Sequence, residues 1–331
     1  PITLSDLVRW SLVDYIPAAE SGDGRYKLHD LARDFAESYL TQDEIIDIQQ
    51  RHSNHYSKVL SRANDLYLKG GTDLLEGLNL LDFEWTNIKA GQAWAKSSIR
   101  SKIFSKKDFV SLAKLGYCYA NDGAYVLDLR LNPSDHISWL ETGLDAARMM
   151  KYRQGEGAAL GNLGNAYSHL GEPRKAIEFY EQALAIAREI GDRQNESEVL
   201  CNLGKAYLDT EEPDKTIEYC TKSLDISRKI EYRRFEGEAL CTLGKAFVAQ
   251  GDLQKALEHC DQALKIFQET EYPKGEAEAI FAKALVLDQL GKNEDATQCA
   301  QQALQIFQRI ESPLAEKVRL KLADWGSPQE N

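Results

Sequence analysis

From residue 151 onward, apolar positions recur at the i, i+3, i+4, i+7 spacing of one helical face, first as Leu160, Leu163, Gly164 and Tyr167. A polar break at Gly171-Glu172-Pro173 follows, then a second stripe at Ala176, Ile177, Tyr180, Ala183, Leu184 and Ala187. The pattern returns 40 residues later as Leu200, Leu203, Gly204, Tyr207, then Pro213, then Ile217, Cys220 and Leu224. It returns again as Leu240, Leu243, Gly244, Phe247, then Gly251, then Ala256, Leu257, Cys260 and Ala263. Glu156, Glu196, Glu236, Glu276 and Glu316 keep the same step. A fixed period of this length predicts a solenoid, in which each unit buries its apolar face against its neighbours. Small residues at 164, 176 and 183 predict close helix approach, with a tyrosine or phenylalanine filling the gap opposite. The glutamates fall where the first helix of each unit begins, where negative charge complements the helix dipole.

The motif L-x-x-L-G-x-x-Y followed by A-x-x-x-[FYC]-x-x-A resembles the tetratricopeptide repeat, in a form longer than the usual length of about 34 residues. The resemblance covers residues 151–311 as four 40-residue units. It implies an all-α chain, a right-handed superhelix that binds a protein or peptide. The fourth unit departs from it, with Ala284 for glycine, Leu287 for tyrosine and Asn293 at the turn. Residues 312–331 predict a capping helix and a tail: Leu320 is in phase, but Glu316, Lys317, Arg319 and Lys321 surround it.

The first half is irregular. Residues 101–150 read as a degenerate helical repeat, with Leu115-Gly116 and Tyr119 imitating the motif and Asn132-Pro133 breaking the chain before Trp139, Gly143 and Ala146. Residues 41–100 read as a helical spacer. Asp43–Leu68 and Leu74–Ser98 are its helices, Gly70-Gly71 punctuates them, and Phe83, Trp85, Ile88 and Trp94 are its expected core. His52 and His55 share a helix face but have no third ligand type near them in sequence, so no metal site is expected.

Residues 1–40 change character. A helix at Leu4–Trp10, a strand within 11–17, a turn at 21–24 and a strand at Arg25–Leu28 are predicted. Asp30 then caps a helix whose apolar face is Leu31, Phe35 and Tyr39. A hairpin leading into a helix is the expected end of a winged-helix domain. With Leu28-His29-Asp30 behind the hairpin, this segment resembles the end of the nucleotide-binding region of STAND-class (NB-ARC type) signalling ATPases. The resemblance implies that His29 contacts a bound ADP phosphate and that Asp30 braces it. It also implies a nucleotide-binding domain upstream in cis, with ADP or ATP bound in the full-length protein. The motif G-x-x-x-x-G-K-[ST] does not occur in this chain, so no cofactor and no enzymatic activity are expected of the chain itself. The chain opens on Pro1, as expected of a piece of a longer protein.

The net charge of −12 argues against a general binder of nucleic acid or membrane surfaces. Six cysteines without a C-x-x-C pair, two of them in each of two 40-residue registers, predict reduced thiols filling small sites in a cytoplasmic protein.

In a tetratricopeptide array the exposed side of the first helix lines the concave wall. Here that stripe is Asn162, Asn165 and His169, then Glu198, Asn202, Lys205 and Asp209, then Glu238, Thr242 and Lys245. Asn165, Lys205 and Lys245 are in phase and predict a polar ladder able to bond a peptide's carbonyls or carboxylates. The bland alternative is a solvated wall, with Glu198, Asn202 and Lys205 pairing within their own helix. Gly161, Cys201 and Cys241 stand in the slots where chaperone-tail clamps carry their binding side chains, which argues against a chaperone adaptor. Arg153, Arg193 and Arg233 repeat between units, as rim contacts or caps for the preceding helix. The function these features predict is the ligand-sensing, autoinhibitory arm of a STAND-type ATPase that controls nucleotide-dependent oligomerisation. The alternative is a stand-alone interaction scaffold.

Overall fold

The computed structural model describes residues 13–16, 25–28, 38–100, 106–127, 129–310 and 312–326. The chain divides into two units, 1–55 and 56–331. In the first, β1 (Val13–Ile16) pairs antiparallel with β2 (Arg25–Leu28), with Val13 opposite Leu28 and Ile16 opposite Arg25. The hairpin stands where the sequence predicts it. The opening helix, His29, Asp30 and most of the helix expected after them lie outside the described residues. Apart from this hairpin, the regular structure of the described residues is helical.

Helix α1 (Gln42–Lys69) follows, and Gly70, with φ of 75°, turns the chain into α2 (Gly71–Arg100). Next come α3 (Lys106–Asn121), the single turn α4 (Ala124–Leu127) and α5 (Pro133–Met149). Asn132 caps α5 by accepting the Asp135 N–H, and Pro133 occupies the first helical position, where its missing N–H costs nothing. Leu60, Leu81, Ile88, Leu115, Tyr119, Leu127 and Trp139 form the core here. Trp139 is flanked by Trp85, stacked at 6.2 Å, and by the edge of Tyr119. Phe83 is a correction: it is 52% exposed. The buried stripe of α2 runs through Leu74, Leu78, Leu81, Ile88 and Ala95, in steps of four, three and then seven residues, and Phe83 falls between its positions.

The array proper alternates a helix A and a helix B. They are α6 (Arg153–His169) and α7 (Pro173–Ile190), α8 (Arg193–Asp209) and α9 (Pro213–Lys229), α10 (Arg233–Ala249) and α11 (Leu253–Glu269), and α12 (Pro273–Gln289) and α13 (Asn293–Arg309). The solenoid ends in α14 (Leu314–Gly326). Each helix packs on the next, and helix A of each unit also touches helix A of the following one. The helices stop by a shared device. One residue at each break from α5 to α13 adopts the left-handed conformation, and the N–H after it returns to a carbonyl five residues back, as in Glu172 to Tyr167 and Asp192 to Ala187, both at 2.9 Å.

Inside each unit, helix A meets helix B at the glycine of the motif. A Cβ on Gly164 would lie 2.4 Å from the Tyr180 ring, and on Gly204 and Gly244 it would meet the sulfurs of Cys220 and Cys260 at 2.3 and 2.8 Å. The gap-filler is therefore a helix-B residue. Tyr167 and Tyr207 stack instead on Phe179 and Tyr219, each pair at 5.2 Å. The fourth unit keeps the fit by exchanging both sides: buried Ala284 shares a core with buried Ala300, the position of Cys220 and Cys260. The thiols are free, with Cys201, Cys220, Cys241 and Cys260 buried and Cys118 and Cys299 half-buried.

Between units the joints are ionic. Glu156 receives Arg148 (3.0 Å) and Arg153 (2.6 Å), Glu196 receives Arg188 and Arg193, and Glu236 receives Arg228 and Arg233. Arg153 and Arg233 reach additionally to Glu189 and Glu269. Of the two expectations for these arginines, rim contacts or caps for helix carbonyls, the second is corrected: the in-phase carboxylates offer charge-assisted partners that neutral carbonyls do not match. At the C-terminal end, Leu320 is 60% exposed, whereas its in-phase counterparts Leu160, Leu200, Leu240 and Ile280 are buried, because among the described residues no helix B covers α14. Among the described residues no helix is long and apolar enough to cross a membrane.

Candidate functional site

The stripe singled out in the sequence does fall along successive A helices, but the structure distributes its members unequally. Asn162 on α6 donates to Asn121 Oδ1 at 2.9 Å, which extends the row back into α3. Asn165 Oδ1 accepts from Asn202 Nδ2 (3.1 Å) and from the Tyr180 hydroxyl (2.7 Å). Lys205 Nζ donates to Glu238 Oε2 at 2.5 Å, and Arg234 Nε donates to Glu238 Oε1 at 3.1 Å. The Asn162–Asn121, Asn202–Asn165 and Lys205–Glu238 bonds run from unit to unit, whereas Tyr180 reaches Asn165 inside its own unit and Arg234 reaches Glu238 along its own helix. The pairing within one helix expected among Glu198, Asn202 and Lys205 does not form, because side chains 33 and 37 residues apart stand closer across the groove between neighbouring A helices.

Burial opposes the charge of both partners in the Lys205–Glu238 pair, yet the pair prevails. The Glu238 carboxylate holds the Lys205 ammonium's pKa well above its ordinary value. Lys205 and Arg234 together bring Glu238 down to about 2. Arg234 also lies over the Tyr272 ring, 4.7 Å from its centroid. Glu278, in phase with Glu198 and Glu238, acts electrostatically on both Lys205 and Lys245.

Thr242 is a further correction. It is buried, and its hydroxyl bonds back to the Glu238 carbonyl at 2.9 Å, one turn earlier in its own helix, so it presents nothing to a ligand. His169 and Asp209 lie at the exposed C-terminal ends of their helices. Lys245 is half-buried.

Three residues of the stripe, Asn162, Glu198 and Asn202, meet in a cleft of about 310 Å³ between α6 and α8. Tyr117, Tyr152, Gln154, Asp192, Gln194 and Asn195 also line it. The cleft exists because the first unit is small where its successors are large. Ala158 and Gly161 form its floor, and the in-phase positions carry Glu198 and Cys201, then Glu238 and Cys241, then Glu278 and Phe281. Glu198 stands apart from Glu238. Among the described residues it accepts no hydrogen bond and has no cation within 4 Å, and burial raises its carboxyl to about 7, Arg234 and Lys205 only partly opposing. Tyr117, Glu278 and Arg234 escaped the sequence reading. The step of 40 from Glu198 reaches Glu278 directly, whereas Tyr117 precedes the regular array. Among the described residues no group of three His, Cys, Asp or Glu side chains is placed to hold a metal ion.

Paired helices stacked on a 40-residue period, with one polar side running across the A helices, define a helical-repeat solenoid. Four overlapping stretches, 137–189, 155–229, 195–269 and 235–309, match the tetratricopeptide repeat. The chain belongs to the tetratricopeptide repeat family. The match begins at 137, inside the stretch expected to be degenerate, so α5 already behaves as a repeat helix. No curated protein matches the chain. Among solved structures, it is similar to NprR in complex with its cognate peptide NprX (17% identity, TM-score 0.58, covering 90% of this chain and 81% of that one). It is similar also to a Rap protein complexed with the Competence and Sporulation Factor (14% identity, TM-score 0.57, covering 83% and 81%). A STAND protein with a tetratricopeptide repeat sensor from Pyrococcus horikoshii matches more loosely (18% identity, TM-score 0.44, covering 97% and 54%). The first two likenesses establish the fold.

Proposed function

We propose that this array is the sensor arm of a STAND-type regulatory ATPase and that it recognises a protein or peptide trigger along its A helices. The observation that carries the binding half is the polar row itself. Asn121, Asn162, Asn165 and Asn202 run across successive helices beside an open cleft, where amides already bonded to one another keep spare donors and acceptors for a peptide backbone. Of the structures that share the fold, NprR is solved with its cognate peptide NprX and a Rap protein with the Competence and Sporulation Factor. The regulatory half is supported by the hairpin β1–β2, which ends at Leu28, the first residue of the Leu28-His29-Asp30 triplet. Binding along the arm would then weaken its hold on the nucleotide core and release oligomerisation.

Two experiments test the two halves. A pull-down from native lysate compares the wild-type chain with Asn162→Ala/Asn202→Ala; a partner retained by the wild type and lost by the variant is expected, and equal retention would move the site off this wall. For the regulatory half, the native gene should encode a phosphate loop, G-x-x-x-x-G-K-[ST], upstream of Pro1. A start codon directly before Pro1 would sink that half and leave an interaction scaffold.

A further inference from the structure

Along the A helices, the carboxylates at one phase of the repeat have different circumstances. Glu238 is held between Lys205 and Arg234, at 2.5 and 3.1 Å. Among the described residues Glu198, 40 residues earlier, has no such partner in bonding distance: the position in phase with Arg234 is Gln194, the position in phase with Lys205 on the preceding helix is Asn165, and Arg234 and Lys205 themselves act on Glu198 only at longer range. Its carboxylate lines the cleft between α6 and α8, together with Asp192, whose Oδ1 is taken up in capping α8 and whose Oδ2 receives a long bond of 3.4 Å from Gln154.

Among the described residues no lysine or arginine lines this cleft. Its other wall is aromatic. Tyr117 and Tyr152 meet edge to face with centroids 5.5 Å apart, and Gly155 permits that approach, since a Cβ there would collide with both rings at 2.3 and 2.8 Å. A half-buried carboxylate without a donor, facing tyrosine rings across a cavity without cations, is the inverse image of a cationic side chain. The array shows the filled version one unit on, where the Arg234 guanidinium bonds Glu238 and lies over Tyr272.

Resting on the proposal that the A-helix wall binds a peptide, we infer that the α6–α8 cleft is the subsite for a basic side chain of that peptide, arginine in preference to lysine. The guanidinium supplies planar, paired donors to the Glu198 carboxylate and a flat face to the tyrosines; an ammonium matches the charge but not the plane. The apolar stem lies over Ala158 and Gly161, and Asn162 and Asn202 stand beside it to receive the flanking main chain.

The probes are end-blocked tripeptides with arginine, lysine, norleucine or glutamate between two alanines. Binding is followed in the full chain by NMR of the side-chain amides of Asn162, Gln194 and Asn202. Arginine should bind best, lysine more weakly and glutamate not at all, with norleucine separating charge from stem. Glu198→Gln keeps the shape and removes an unpaired charge, so it should fold; it should weaken the arginine peptide by about tenfold or more while leaving norleucine unchanged. Equal binding of the arginine and norleucine peptides, or an unaltered affinity in Glu198→Gln, would overturn the basic subsite and leave the peptide-binding wall standing. Amide shifts from none of the four would remove both.

Discussion

The Lys205 ammonium sits 2.5 Å from the Glu238 carboxylate of the next unit, so helix A of one repeat is held to helix A of the following one by a pair that is 38% and 15% exposed. Desolvation offsets much of the attraction within such a pair, and removing one partner costs more than the pair is worth, because the other charge stays behind. Lys205→Met should destabilise the chain by about 1–3 kcal/mol, and Glu238→Gln by a similar amount, since it also deprives Arg234. The double variant should recover part of the loss. Urea melts of the four proteins check this, and strictly additive losses would show that the two charges do not interact.

The glycine of the motif is coupled to one residue of helix B. Gly204→Ala would press its methyl against the Cys220 sulfur, 2.3 Å away, and should cost about 1–3 kcal/mol through overpacking. Adding Cys220→Ala recreates the pair that the fourth unit already uses, Ala284 beside Ala300. The double variant should therefore melt near the wild type, helped by the better helix propensity of alanine over glycine. Thermal melts showing no rescue would mean that the glycine serves something other than this contact.

Two glutamates of one phase should respond to pH in opposite directions. Glu198 is raised by burial to about 7, so the folded chain holds its proton more tightly than the unfolded one; its effect is to lower stability as pH rises from about 4.5 to about 7. Glu238 is brought down to about 2 against the pull of burial, by Lys205 and Arg234, so its contribution is present above about 4.5 and lost as pH falls towards 2. Glu198→Gln should flatten the fall between pH 4.5 and 7 and raise stability at pH 8 by about 1–3 kcal/mol, solvent access reducing the full linkage value. Melts of wild type and variant across that range provide the check. A parallel pair of curves would mean that Glu198 titrates normally.

The period made the helices, their pairing and the core positions legible, because the same residue types return every 40 positions and packing repeats with them. What the period could not convey is which side chains meet across units. The bonds from Asn202 to Asn165 and from Lys205 to Glu238 depend on the offset between neighbouring A helices, and sequence spacing on one helix suggested partners within that helix instead. Thr242 shows a related limit: its phase puts it on the wall, yet a short hydroxyl beside the Glu238 carbonyl turns inward. The cleft was legible in principle, as Ala158 and Gly161 are small where the later units are large, but its aromatic wall comes from Tyr117, outside the regular units.

The turns between helices offer a gain rather than a loss. Gly171, Gly191, Gly251 and Gly291 take the left-handed conformation with φ between 71° and 81°, but the equivalent positions elsewhere in the array hold Glu211 (φ 61°), Glu231 (φ 56°) and Glu271 (φ 49°). A side chain in that region crowds its own carbonyl at a cost of roughly 1–2 kcal/mol, from which glycine's freer unfolded chain takes back a part. Glu211→Gly and Glu231→Gly should each stabilise by about 0.5–1 kcal/mol, with near-additive gains because the turns lie in different units and share no partner. The converse substitution, Gly191→Ala, should destabilise by about the same amount, although a Cβ there meets nothing within 4 Å. Melting temperatures of the three variants and the Glu211→Gly/Glu231→Gly double give the answer. A loss of stability in the glutamate variants would mean that those side chains hold the turn through contacts worth more than the backbone strain.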